Sequence, residues 1–190
     1  MAIVETYTYS RANTSVDFPY DALASQFDAE VKPSIQSYID SGAYTRTSPL
    51  SDDGLKQSKI ETYADVATYS AVRNAIDGNS AYKKAFIAKT AENNISFVSS
   101  AMTGIDQAFT ITTTYTTHEN FDKTNLIQYL YQGGFRKPES TRPLEDGYGT
   151  VVVHKYENAA DYNSNKFMDS AILGGLLTDG VIKTILVELT

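Results

Sequence analysis

The chain has no cysteine and no tryptophan, and only two histidines and five prolines in 190 residues. Without cysteine there is no disulfide, no thiolate metal site and no cysteine nucleophile, and the redox compartment leaves no trace. No run of lysine and arginine occurs, and a formal net charge of −7 disfavours nonspecific binding to nucleic acid or anionic lipid. Long apolar runs are missing too. The longest, Ala171 to Leu177, is broken by Gly174 and Gly175 and falls far short of the roughly 20 residues a membrane helix needs. The N-terminus shows no basic segment leading into an apolar one, so no signal peptide is expected, and the reading is of an intracellular or particle-associated protein. Tyrosine, by contrast, is plentiful at 14 residues; its apolar ring and polar tip suit half-buried sheet faces and wet contact surfaces.

The chain repeats itself. Tyr38 to Tyr69 and Tyr129 to Tyr162 each hold an aromatic just after a glycine (Gly42-Ala43-Tyr44; Gly134-Phe135), then Pro-Leu, acidic residues and a second glycine. From that glycine the spacing is the same: Gly54 to Tyr63 and Gly147 to Tyr156 are each 9 positions, and Tyr69 and Tyr162 follow 6 later. Such self-similarity is the mark of duplicated architecture.

Hydrophobic periodicity fills in the elements. Ile3 to Tyr9 alternates as a strand. Asp21 to Ile39 has helical spacing, with Pro33 predicting a kink or a two-piece helix and Gly42 a stop. Ala43 to Leu50 reads as a short polar strand, Ser51 to Gly54 as a turn and Gln57 to Tyr63 as a strand. Asp65 is placed to cap a helix with Val66, Tyr69, Val72 and Ile76 on one stripe; after Asp77-Gly78-Asn79, Ser80 is placed to cap its continuation through Tyr82 and Phe86. Ile95 to Ser99 completes β, α, β, β, α, β. The second half repeats the order: strand Phe109 to Thr116, helix Phe121 to Tyr131, a proline-bounded edge piece Pro138 to Pro143, strand Gly149 to Tyr156, helix Ala159 to Leu177 and strand Val181 to Leu189.

The predicted fold is therefore α+β: two tandem ferredoxin-like βαββαβ units, residues 1–103 and 104–190, each an antiparallel sheet with its helices on one face. The join is expected around Gly104. Each unit leaves one sheet face bare, and apolar bare faces are expected to shield one another within the chain or between copies.

Motifs for chemistry are sparse. The histidines have no paired-ligand spacing, so zinc is not indicated. Asp52-Asp53 and Glu145-Asp146 lack the alternating oxygen ligands of a calcium loop and read as turns closed by glycine. Gly133-Gly134 and Gly174-Gly175 lack the spacing and lysine of a phosphate loop, and no Gly-x-Ser-x-Gly elbow occurs. The basic-flanked aromatic strand of RNA-recognition modules is also missing. His118 reads as a helix-start neighbour. His154 aligns with Glu61, so both units put a titratable group at one strand position. Two readings stand open: His154 faces an internal cavity as a general base with Tyr156 nearby, or both residues occupy solvated strand ends. No catalytic, cofactor-binding or metal-binding set is assigned.

The stretch Ile60 to Ile95, with its strand ending in an aromatic, its capped alanine-rich two-piece helix and its Asn-Asn-Ile exit, resembles small structural or uncharacterised proteins of tailed, particularly marine, bacteriophages. That resemblance implies a non-enzymatic virion component, capsid- or tail-associated, or present in host cytoplasm during assembly. Its implied partners are other virion proteins or copies of itself as a homo-oligomer, with no nucleic acid, membrane or cofactor. The tandem architecture is also similar to dimeric α+β barrel proteins, which include small monooxygenases and isomerases acting on hydrophobic or phenolic compounds. Those carry His, Asn, Tyr or Arg at a cavity mouth, where this chain offers His154, Glu61 and neighbouring tyrosines. The alternative function is accordingly a small-molecule binder or cofactor-independent enzyme with a pocket between the paired sheets.

Overall fold

A computed structural model describes residues 1–119, 138–165 and 180–190. They form an α+β fold of two four-stranded antiparallel sheets with six helices among the described residues. In the first unit, β1 (Ile3–Ser10) is followed by three short helices, α1 (Pro19–Ala22), α2 (Ala24–Glu30) and α3 (Lys32–Asp40), then β2 (Tyr44–Thr47) and β3 (Lys56–Tyr63). Helices α4 (Val66–Gly78) and α5 (Ser80–Glu92) lead to β4 (Ser96–Thr103). The second unit carries β5 (Phe109–Thr116), β6 (Ser140–Pro143), β7 (Gly149–Tyr156), α6 (Ala159–Asn165) and β8 (Ile182–Leu189). The expected helix Phe121 to Tyr131 and the part of the expected helix Ala159 to Leu177 beyond Asn165 lie outside the described residues.

Strand order is β2-β3-β1-β4 in one sheet and β6-β7-β5-β8 in the other, the same topology on both sides of Gly104 and the one tandem ferredoxin-like units require. Equivalence extends to single residues. Glu5 lies between Glu61 and Met102, as Ile111 lies between His154 and Val187. Gly54 and Gly147, at φ of +67° and +75°, close the same turn, each donating its N–H to the carbonyl three residues back. At the join, a Cβ on Gly104 would sit 2.0 Å from the Ala2 carbonyl oxygen, so only glycine lets β1 and the end of β4 approach this closely.

Two local expectations are revised. The Asp21 to Ile39 segment breaks into three helices, at Leu23 and at Val31, and Pro33 stands in the first turn of α3 just after the second break. Proline is favoured in a first helical turn because its missing N–H would have had no partner there. Asn79, with its side chain accepting from the Tyr82 N–H at 2.9 Å, caps α5, while Ser80 is the first helical residue. Asp65 caps α4 as expected, accepting from Thr68 N–H at 2.7 Å.

The bare face of the first sheet carries mainly hydroxyl side chains, Thr6, Thr8, Ser58 and Thr62 beside Val4 and Ile60, whereas on the second Thr110, Thr112, Thr114 and Thr116 stand beside Val151, Val153, Ile182 and Leu186. Thr8 and Ser58 share a hydrogen bond across the first of them. The hydroxyl-rich face of the first sheet tolerates water and needs little shielding. The apolar core instead lies under the helices and runs unbroken from Ile3, Tyr63 and Val72 to Phe109, Tyr156 and Val187. Burying Val31, Ile35 and Val72 completely contributes roughly 1.5–3 kcal/mol apiece.

Helices of each unit also cap the outer edge strand of the other. On α4, Ser70 Oγ accepts from the Val187 N–H at 3.0 Å, and the Asn74 amide bonds both the carbonyl and the N–H of Ile185. On α6, Asn163 bonds both the N–H and the carbonyl of Met102 at 2.7 Å. Ser70 and Asn163 occupy equivalent helix positions, and Val187 and Met102 equivalent strand positions. The halves are thus tied by a pseudo-twofold pair of clamps on edges that would otherwise be open to pairing. No described helix is long and apolar enough to cross a membrane.

Candidate functional site

The face of the first sheet that lies under the helices is unusually polar. Alternation puts Ile3, Glu5, Tyr7 and Tyr9 of β1 and Gln57, Lys59, Glu61 and Tyr63 of β3 on that side. Helices α1 to α5 cover it, so charges that a lone strand would give to water are enclosed. Glu61 is fully buried and Lys59 is 4% exposed.

Burial of charge is tolerable only when every charge is paired and hydrogen-bonded. Glu61 is the hub. Its Oε2 lies 2.7 Å from Lys59 Nζ and 3.6 Å from an Arg73 nitrogen, while Tyr44 and Tyr63 donate hydroxyls to its two oxygens at 2.6 and 3.1 Å. Arg73, reaching down from α4, also meets Asp77 at 2.9 Å and Glu5 at 3.9 Å. Lys83 of α5 pairs with Asp77 at 2.8 Å, and Tyr69 donates to Glu5 at 3.0 Å.

Protonation follows from these neighbours. Burial alone would raise the Glu61 carboxyl, but Lys59, Arg73 and the phenol donors outweigh it and hold it down to about 2. Burial lowers Lys59 to about 8, partly offset by Glu61. Asp77 is held well below the carboxylate range by Arg73 and Lys83 against its own desolvation. Tyr7, Tyr20, Tyr44, Tyr63 and Tyr69 are all pushed up, chiefly by burial, and stay neutral phenols.

Above this network is a cavity of about 60 Å³ between β1, β2, β3 and helices α1, α2, α4 and α5. Four cations reach its wall: Arg46, Lys59, Arg73 and Lys83. Tyr7, Tyr9, Tyr20 and Tyr82 supply ring faces and phenols, and Phe27, Ile76 and Phe86 the apolar remainder. Among the described residues no carboxylate lines it; Glu5, Glu61 and Asp77 pair with its cations without reaching the wall. Arg46 differs from the other three in having no carboxylate within ion-pair distance among the described residues. It lies over the rings of Tyr20 and Phe27, 5.0 and 4.6 Å from their centroids.

The histidines lie elsewhere. His154 sits on β7, half-buried and stacked on Tyr156 at 6.3 Å between ring centroids, in the second unit and away from this cavity. Its partner in the alignment, Glu61, is neither a solvated strand end nor a wall residue; it anchors the wall from behind. Thus the structure keeps the equivalence of the two positions and separates their surroundings. His118 follows β5, outside the cavity. The wall residues Arg46, Lys59, Arg73 and Lys83 escape sequence reasoning because each looks like an ordinary surface charge. The available signal is register: Lys59 and Glu61 share the strand face of Tyr63, the aromatic that the repeat itself marks as important.

Among the described residues, no group of three or more His, Asp and Glu is arranged to hold a metal ion. No family model and no curated protein matches the chain. A solved structure from Lactobacillus acidophilus NCFM, described as a "putative monooxygenase", is similar over 100% of this chain and 93% of its own, at 11% identity and a TM-score of 0.33.

Proposed function

We propose that the first unit is a binding module for a small organic anion, received in the cation-lined cavity. One observation carries this reading: four cations line the cavity, while among the described residues no carboxylate lines it and none lies within ion-pair distance of Arg46. An anion entering there meets preset donors in a partly desolvated site, where each charge acts more strongly than in water. The net charge of −7 is no obstacle, because a local cluster sets the field inside a cleft. The volume, about 60 Å³, limits the ligand to a few heavy atoms, since one water needs about 10–15 Å³ of such space.

Isothermal titration with acetate, glycolate and phosphate, against uncharged glycerol, tests the reading. Saturable binding of an anion, weakened about tenfold or more in Arg46→Met, is expected. Methionine keeps the packing on Tyr20 and Phe27 while removing the charge. Absence of saturable binding for every anion, or equal binding by the variant, would end the proposal.

A second reading, the docking role expected from the sequence, in a phage particle or between copies, draws support from one surface feature. On β4 and β8, Val98, Ile182 and Leu186 are 47%, 44% and 50% exposed. Analytical ultracentrifugation checks it: a strictly monomeric protein that never co-sediments with particles rules it out.

A further inference from the structure

We infer that the anion received by this cavity is the carboxylate of a glutamate side chain on an extended acidic segment of a partner protein, which adds to the first sheet as a strand beside β2. The inference rests on the anion reading above and names the larger molecule that carries the anion.

Backbone geometry singles out this edge. β2 is the last strand of its sheet, and Thr45 and Thr47 on it are exposed. Two bonds fix the phase of its ladder: the Ala64 N–H donates to the Ala43 carbonyl at 2.8 Å and the Ser58 N–H to the Pro49 carbonyl at 3.0 Å. Alternation between them turns the backbone groups of Thr45 and Thr47 towards β3 and those of Tyr44 and Arg46 outward. An outward row of this kind is a template for one more strand. The other edges suit that use less well. Side chains of Asn163, Ser70 and Asn74 already bond the backbone of β4 and β8. On β6 the Leu144 N–H bonds the Gly149 carbonyl, so Pro143 is among the outward residues, and proline brings no N–H.

Side chains supply the charge. In an antiparallel pair, the residue exchanging both backbone bonds with Arg46 presents its side chain on the same face as Arg46, here the cavity side. On the β3 side that neighbour is Glu61, whose oxygens are taken by Lys59, Arg73, Tyr44 and Tyr63. A counter-charge for Arg46 is therefore accommodated on the outer side. The guanidinium leans inward over Tyr20 and Phe27, so the longer stem of glutamate, rather than that of aspartate, follows it. Only the carboxylate end enters the cavity of about 60 Å³, while the rest of the segment lies along the edge. Residues flanking that glutamate fall beside Thr45 and Thr47 on the bare face.

Fluorescence anisotropy of the full chain with short, dye-labelled, end-blocked peptides of alternating Thr and Val tests the inference. One peptide has a central Glu, one a central Gln, and one the Glu with its own amide N-methylated; blocked ends leave the side chain as the sole carboxylate. The Glu peptide is expected to bind saturably, about tenfold or more tighter than either of the others, and Arg46→Met is expected to abolish the preference for Glu over Gln. Hydrogen exchange at the Tyr44 and Arg46 amides should slow in the bound state. If acetate binds saturably but the Glu peptide binds no better than the Gln or N-methylated peptide, or leaves those two amides unprotected, strand addition is overturned while the anion reading stands. If neither acetate nor the Glu peptide binds, both fall. The peptide comparison is made on the unsubstituted protein, so it does not depend on a variant that folds.

Discussion

The two units share a topology, a turn and a helix cap, yet among the described residues the buried charged side chains Glu5, Lys59 and Glu61 all belong to the first. Glu5, Tyr7, Lys59 and Glu61 of the first sheet correspond by register to Ile111, Thr113, Val152 and His154 of the second. The aromatic frame is kept, with Tyr63 and Tyr69 matched by Tyr156 and Tyr162, which meet edge to face in both units. What differs is the polarity of four inward positions. In the second unit Ile111 and Val152 are buried apolar residues at the positions of Glu5 and Lys59. A ferredoxin-like sheet therefore supplies a covered, rigid face, and the residues placed on it decide whether that face becomes core or site.

The largest expected effect comes from attacking the hub. Glu61→Gln removes the charge that Lys59 and Arg73 share, and should cost about 3–5 kcal/mol in urea unfolding. His154→Gln, the same position in the other unit, should cost below about 1 kcal/mol. The pH profile carries the same contrast. Glu61 is held down to about 2 from an ordinary 4.5, so its contribution is full above pH 4.5 and is lost as pH falls through about 2. That contribution is on the order of 3 kcal/mol, and the acid limb should flatten in Glu61→Gln. Lys59 has the opposite sign of benefit: its folded value lies below its ordinary 10.5, so keeping it charged costs stability below about pH 8, and the cost fades as pH rises towards 10.5. Equal losses at Glu61 and His154 would mean the two interiors are not different in kind.

Next in size are the edge clamps. Asn163→Ala leaves the N–H and carbonyl of Met102 without their side-chain partner, and about 1–3 kcal/mol of destabilisation is expected. Ser70→Ala removes one bond to Val187 and should cost about 1 kcal/mol. Hydrogen exchange at the amides of Met102 and Val187 reads each clamp separately. Faster exchange at one edge alone in each variant supports independent clamps; no change in either would remove them as the link between units.

Smallest are the helix caps, where the units should behave alike. Asp65 accepts from the Thr68 N–H, and Asn158, its equivalent, from the Asp161 N–H at 3.0 Å. Alanine at either position should cost about 1 kcal/mol by thermal or urea melting. A large difference between them would show that helix entry is not conserved in strength between the repeats.

Much of the architecture was legible in residues. The glycine-to-tyrosine spacing marked the duplicated turn, strand and helix, and β5 and β7 run over the same residues as the alternation predicts. Asp65 was readable as a cap because a carboxylate just before a helical stripe has one economical use. Two local readings were less accurate. Pro33 drew attention to a break that falls two residues earlier, at Val31, and Asn79 competed with Ser80 for the same cap. The bare faces were expected to be apolar, whereas period-two alternation sends mainly Thr and Ser to the first, a mixture of Thr with Val, Ile and Leu to the second, and the aromatics beneath the helices.

The site was barely legible, and the reason is physical. A strand with alternating Lys59 and Glu61 reads as an exposed face because ionised groups ordinarily stay in water. The sequence by itself determined the repeat, the strand and helix order, and the positions of the capping and turn residues, all of which are set by interactions within a few residues. Only the tertiary structure decided that helices α1 to α5 close over the charged side of the first sheet. Arg73, from α4, and Arg46, from β2, then line one cavity although distant in the chain. Enclosure, by removing water and leaving paired charge in its place, is what turned four ordinary cations into the wall of a cavity.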